Sequence, residues 1–367
     1  MKINKENWEY KSFLSCIEKV PKPKQLTTSD YKKSGAIPIV SQDAKLITGY
    51  TNHEELKNKF DKPVIVFGDH TRVLKYIDFD FVVGADGVKI IIPKGNLLTK
   101  FLYYFLVWHK IPNLGYARHF KLLKDIMIPI PPINTQNYFI SLFDKYQDLI
   151  FLKQKQLKEF DSLESSVFIK MFGDSVVKEM GWEVKSLGEI GNIITGSTPS
   201  TKDKENYEPK EYCFVKPSDL PSKGVANITT TEYFVSSKGF ALSRALPIGS
   251  VLISCIGTIG KIGILKQVAC SNQQINAIIP NRTIDSYYLA YNIAVNKNKL
   301  ESMANAPVVP IINKTSFSLF KIAIPPLSLQ QSFAQKIEVI EKQKEVVKNE
   351  IAQLQALLDS EMDKYFG

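Results

Sequence analysis

The chain has 367 residues, 44 % hydrophobic and 23 % charged, which suffices for two or three domains and excludes wholesale disorder. Its 47 Lys plus Arg against 37 Asp plus Glu leave a net charge of +10, an excess that attracts polyanions, of which nucleic acid is the commonest soluble one. The charged opening "MKINKENWEY" and the brevity of the longest apolar run, Phe101–Trp108, lead us to expect a cytoplasmic, reduced protein with no membrane association. The cysteines, Cys16, Cys213, Cys255 and Cys270, form no C-x-x-C pair, and four histidines are scattered, so neither a zinc site nor a disulfide framework is indicated.

In chain order, "NWEYKS" opens a β-rich body at Asn7. Within it "KPVIVFGDHTRVLKYIDFDFVVGADGVKIIIP" reads as apolar strand, tight loop, strand, polar turn, and a strand ending at Pro93. The aromatic segment "FLYYFLVW" follows as a core helix, and then "YARHF", whose histidine could equally pack beside that helix. A Pro-Pro step at Pro131 ends the last strand and launches a helix that runs to a Phe-Gly at Gly173.

The order then repeats. "GWEVKS" at Gly181 matches "NWEYKS", and "GSVLISCIGTIGKIGILKQVACSNQQINAIIP", ending at Pro280, matches the strand–loop–strand run of the first body. "YYLAYNIAV" takes the place of the aromatic helix. The segment from Pro325 to Gly367 lies over that from Pro131 to Gly173 without a gap, with Gln330 standing where Gln136 stands.

Both tails carry apolar residues at alternating three- and four-residue steps. They are Phe333, Ile337, Ile340, Val347, Ile351, Leu354, Leu358, Met362 and Tyr365 in the second copy, broken only by Lys344. Their partners are Phe139, Phe143, Tyr146, Lys153, Leu157, Phe160, Glu164, Phe168 and Met171, with Ile150 opposite Lys344. Such a seam buries itself against another like it, which predicts an antiparallel pair of helices, with Lys153, Glu164 and Lys344 as polar positions that either set the register or mark the ends of the packed zone.

The loop in "LISCIGTIGKIGIL" invites a nucleotide-binding reading. A phosphate-cradling G-x-x-x-x-G-K-[ST] loop needs glycine where Cys255 stands and a hydroxyl where Ile262 stands, so the pattern fails at two of its four fixed points. Its counterpart in the first half, "GDHTR" from Gly68 to Arg72, carries a different residue set. Gly257 and Gly260 are therefore read as requirements of a tight turn. Methyl transfer by the chain itself is disfavoured, since isoleucine or proline leads each Pro-Pro step where an acidic or amide acceptor would be needed; a histidine nuclease at His70 or His119 would lack clustered carboxylates. A purely structural coiled-coil adaptor fits poorly with the basic excess and the divergent loops.

Taken together, "GADGVKIIIP", "YARHFKLLKDIMIPIPP", "TGSTPS", "GTIGKIGI", "NQQINAIIP" and "IAIPPLSLQQ", in this order, resemble the specificity subunit of type I restriction–modification systems over nearly the whole chain. The resemblance implies an α+β fold: two repeated mixed α/β target-recognition domains joined by a long antiparallel two-helix coiled coil. The expected boundaries are a first recognition domain over 1–132, a spacer helix over 133–173, a linker over 174–181, a second recognition domain over 182–326 and a second spacer helix over 327–367. It also implies a non-catalytic reader of double-stranded DNA that recognises an asymmetric bipartite target. The reader would dock two methyltransferase subunits and, for restriction, nuclease–translocase subunits. S-adenosylmethionine, ATP and Mg are expected on those partners and no cofactor on this chain. Unlike bodies should read unlike half-sites, roughly 34 Å apart if approached from one face, with the coil as ruler.

Arg or Lys paired with guanine and Asn or Gln paired with adenine carry most sequence information, while many Lys contacts go to phosphate. The candidates in the first body are His70, Arg72, Lys75, Arg118, His119 and Lys121. In the second they are Ser197, Thr198, Lys202, Lys216, Ser218, Thr258, Lys261, Gln273, Gln274, Asn276, Asn313 and Lys314. The amides of "NQQIN" have the alternative of pinning their own turn.

Overall fold

A computed structural model describes residues 5–6, 8–21, 23–173, 181–305 and 309–367. Asn7 and residues 174–180 of the expected linker lie outside the described residues. The chain divides into two compact units, one made of Met1–Lys153 with Asn349–Gly367, the other of Gln154–Lys348.

In the first unit Val64–Gly68, an uninterrupted apolar strand with every residue buried, is the middle strand of a three-stranded sheet between Leu74–Ile77 and Val88–Ile91. A four-stranded sheet runs Gln25–Leu26, Val82–Gly84, Ile37–Val40, Gly49–Thr51. The strand Glu9–Ser12 pairs antiparallel with Met127–Ile130, Glu9 opposite Ile130. The aromatic segment is a helix, Thr99–Trp108, with Phe101, Leu102, Tyr104 and Phe105 in the core.

The second unit has a five-stranded sheet in the order Gly191–Thr195, Ile275–Pro280, Val251–Ser254, Ile262–Leu265, Val225–Ile228. A three-stranded sheet runs Phe234–Val235, Tyr212–Val215, Ala269–Ser271. Glu183–Ser186 pairs antiparallel with Lys321–Ile324, Glu183 opposite Ile324. The Trp-Glu segment thus meets the strand before Pro-Pro in the same register as in the first unit. The helix Ser286–Val295 occupies the place of Thr99–Trp108 and is capped by Asp285.

Two 40-residue helices, Ile133–Phe172 and Leu327–Phe366, follow the Pro-Pro steps. A buried glutamine fixes each start. Gln136 donates to the carbonyls of Asn96 and Pro131 and accepts from Leu98 N–H, just ahead of the aromatic helix. Gln330 donates to the carbonyls of Thr283 and Pro325 and accepts from Asp285 N–H. Each glutamine satisfies backbone groups that burial would otherwise leave unpaired.

Within the first unit Phe139 packs on Tyr365 with ring centroids 4.5 Å apart, and Lys153 lies 2.7 Å from Glu350. Phe366 rests on Phe101, Phe105 and Trp108, and Trp108 Nε1 donates to Asp363. Within the second unit Phe168 and Phe172 meet Phe333, with centroids 5.4 and 5.5 Å away. There Lys344 is surrounded by three carboxylates, at 2.8 Å from Asp161, 3.2 Å from Glu164 and 2.7 Å from Glu341. In each unit the pairs run in opposite sequence directions. No helix among the described residues is long and apolar enough to cross a membrane.

Candidate nucleic-acid interface

In the first unit the loop after Val64–Gly68 turns through Asp69, His70 and Thr71, and closes with Arg72 in the left-handed region at φ 62°. Gln42, just past the end of the strand Ile37–Val40, organises it. Its Oε1 accepts from His70 N–H at 3.2 Å, its carbonyl from the Thr71 hydroxyl at 2.6 Å, and its Nε2 donates to the Asp86 carbonyl. A second segment, Leu114–Phe120, is fastened to this loop. Asp69 accepts from Phe120 N–H at 2.8 Å, and its carbonyl lies 3.0 Å from His119 Nδ1. His119 Nε2 accepts from Leu114 N–H at 3.1 Å, so the neutral imidazole protonated on Nδ1 satisfies both contacts. Tyr116, missing from the candidate set, stacks on His70.

The structure therefore brings His70, Arg72 and His119 together and leaves Arg118 and Lys121 exposed beside them. Arg118 and Lys121 face solvent, while Arg72 donates to the Ile111 carbonyl at 3.1 Å. His119 is fully buried and Lys75 nearly so. Lys75 Nζ donates to the carbonyls of Ser41 and Lys45, and burial holds its pKa below the ordinary lysine value. Substituting His119 by Leu leaves Leu114 N–H without its acceptor and Asp69 without one donor. We expect a loss of about 1–3 kcal/mol in denaturant unfolding; an unchanged midpoint would show that the imidazole does not order this segment.

In the second unit the turn from Ser254 to Lys261 has Gly257 and Gly260 both at φ 76°, the left-handed geometry that a side chain resists. Ser254 Oγ accepts from Lys261 N–H at 3.0 Å, and Gly257 N–H donates to the Pro310 carbonyl. The turn's N–H groups at Gly257 and Lys261 are thus occupied by protein acceptors. Cys255 is buried, and that burial pushes its thiol up to about 12.

Around the turn several candidates converge. Lys261 Nζ donates to the Pro217 carbonyl at 2.9 Å, tying the turn to the Lys216–Ser218 segment. Lys216 Nζ sits 3.1 Å from the centroid of the Tyr233 ring, a cation–π contact. Thr198 donates to Gln273 at 2.6 Å, and Ser197 N–H to the Ser271 carbonyl. Thr258, Gln273, Ser218 and Thr198 are exposed; Gln274 and Ser197 are half-buried.

Asn276 is buried, accepting from the Thr195 hydroxyl and donating to the Ile312 carbonyl. The pinning alternative holds for Asn272, whose Oδ1 accepts from Gln274 N–H at 3.1 Å. Asn313 caps the short helix Lys314–Ser318 through Ser316 N–H, with Lys314 exposed. Lys202 is exposed, on the segment leading away from Thr198.

Sequence reasoning missed Gln42, Asp69, Tyr116 and Tyr233. Tyr116 begins the "YARHF" motif and could have been found as an aromatic beside Arg118; the partners of Asp69 stand some fifty residues away and leave no local signal. Among the described residues no group of three or more His, Cys, Asp or Glu is placed to hold a metal ion.

Comparison with known proteins places this arrangement among relatives. A family described as the type I restriction modification DNA specificity domain matches residues 5–160 and again 179–356. The specificity subunit of the type I restriction enzyme EcoR124I/EcoR124II from Escherichia coli is 26 % identical over 345 residues, 85 % of this chain and 80 % of that protein. The HindI specificity subunit from Haemophilus influenzae is 29 % identical over 160 residues, 43 % of this chain and 35 % of that protein. The solved structure of a type I restriction–modification S subunit from M. genitalium aligns with a TM-score of 0.56 at 16 % identity, covering 100 % of this chain and 98 % of that one. At that identity the likeness is one of fold.

Proposed function

Because the chain belongs to the type I restriction modification DNA specificity domain family, we propose that it reads an asymmetric bipartite target in double-stranded DNA and positions two methyltransferase subunits on it, with restriction subunits joining where the system has them. The chain is a non-catalytic specificity subunit. Residues 1–132 and 182–326 are the recognition domains in this reading, with 174–181 as linker. Residues 133–173 and 327–367 form an antiparallel coiled coil whose length sets the spacing of the half-sites.

The observation that carries the reading is the pair of unlike loop clusters on corresponding strands. Gly68–Arg72 leaves Val64–Gly68, and Cys255–Lys261 leaves Val251–Ser254, each the apolar strand that precedes its tight loop. One cluster offers His70, Arg72, Arg118 and Lys121; the other offers Thr198, Lys216, Ser218, Thr258, Lys261 and Gln273. Surfaces so different favour unlike half-sites, because base-edge recognition depends on donor and acceptor placement. The buried Lys75, His119 and Asn276 act in this scheme by holding the loops. Ser197, Lys202, Gln274, Asn313 and Lys314 border the second cluster and contact the backbone or outer base pairs.

Mapping methylated adenines in cells that carry this chain with its methyltransferase tests the reading. We expect a two-part motif with a fixed gap and different halves; a palindromic or ungapped motif would overturn it.

A further inference from the structure

Tyr116 is 98 % exposed, the most open large side chain among the described apolar residues, and it has an aromatic neighbour in His70. Its ring stacks on His70 with centroids 5.4 Å apart and planes 15° from parallel, an offset geometry that aromatic pairs prefer. His70 is wedged in turn. A Cβ at Gly87, which has φ 88°, would come within 2.9 Å of its ring, and its Nδ1 is buried without a hydrogen-bond partner. Neighbouring Leu114 is also exposed, and its N–H is fixed by His119. Leu114 and Tyr116 thus make an exposed apolar lip on this segment, tied through His119 and His70 and followed in sequence by the exposed cations Arg118 and Lys121.

We infer that Tyr116 is a specificity-determining contact of the first recognition body, placing its ring against a thymine methyl in the half-site which that body reads. The inference rests on the DNA-reading role proposed above and names one contact within it. The face of an exposed aromatic ring gains from contact with an apolar feature, and the apolar feature of the DNA major groove is the thymine C5-methyl group. Flanking cations engage phosphates and bring the lip to the groove without choosing a sequence. The stack on His70 favours one placement of the ring, which lowers the conformational entropy lost on contact.

The test uses the full chain assembled with its methyltransferase subunits, measuring binding to target DNA and to unrelated DNA as salt is varied. Thymines of the target are replaced one at a time by uracil, which removes only the methyl. With the unsubstituted chain, one uracil position in a single half-site is expected to weaken binding several-fold. With Tyr116→Ala, specific affinity falls roughly tenfold, the scale of one mismatched pair, and the penalty for that uracil disappears. Affinity for unrelated DNA and the salt slope stay as they were, since no phosphate contact is lost.

Tyr116→Phe retains the uracil penalty. If Tyr116→Ala leaves every uracil penalty in place, or weakens target and unrelated DNA equally, the contact is overturned while the reading role stands. If the unsubstituted complex does not prefer any target, the reading role falls and the contact with it.

Discussion

Replacing residues 182–326 by the corresponding segment of another family member will change one half of the methylated motif and leave the other half as it was. The side chains proposed to read the second half-site all lie between Ser197 and Lys314, so the proposed surface travels whole with the exchange. The junctions are favourable as well. Glu183–Ser186 and Lys321–Ile324 lie side by side in one two-stranded ribbon, so both ends of the exchanged segment meet in a single register-matched element. Each mismatched base pair costs roughly 1–3 kcal/mol, so redirecting even a few pairs moves preference from the old half-site to the new by orders of magnitude. Sequencing of methylated adenines before and after the exchange gives the answer. Changes in both halves would mean that the two bodies do not read independently.

Lys344→Met should be the most damaging single substitution in the helical region. Its ammonium lies within ion-pair distance of Asp161, Glu164 and Glu341 together. Burial works against its charge, and Asp161 and Glu341 overcome this to hold its pKa above the ordinary lysine value. Burial also raises the Glu164 carboxyl to about 7, with the hydrogen bond to Glu341 pushing the same way and Lys344 pulling against it. Removing one partner of such a buried group costs about 3–5 kcal/mol, because the remaining charges lose their compensation.

The pH dependence follows with a definite sign. A carboxyl whose folded pKa lies above its unfolded value of 4.5 binds its proton better when folded. Its contribution is complete below pH 4.5 and fades as pH rises through 7. Unfolding midpoints should therefore fall between pH 5.5 and pH 8, and Glu164→Gln should flatten that decline. A Lys344→Met chain as stable as the parent at pH 8 would remove the cluster from any role in holding the helices.

The long helices were legible because their signals are local and periodic. Pro-Pro steps mark their starts, Phe-Gly their ends, and Phe139, Phe143, Ile150, Phe168, Phe333, Ile337, Leu358 and Met362 are buried as the three- and four-residue spacing requires. The glycine turn was legible too, since Gly257 and Gly260 both have positive φ. Lys75 shows where composition misleads. As a cation near "GDHTR" it looked available, yet two-residue alternation in Leu74–Ile77 sets it on the same side as buried Ile77. The bracing of Tyr116 was beyond reach, because His70, Gly87 and His119 come together only through strand pairing.

The first unit has a constraint in time as well as in space. Its core contains Leu358, Met362 and Tyr365, and the second unit, Gln154–Lys348, lies wholly between them and the rest of that core in the order of synthesis. A ribosome therefore releases every residue of the later-encoded body before the earlier one can close. Until then Phe101 and Phe139 lack their Phe366 neighbour, and the nascent body keeps that part of its apolar core uncovered.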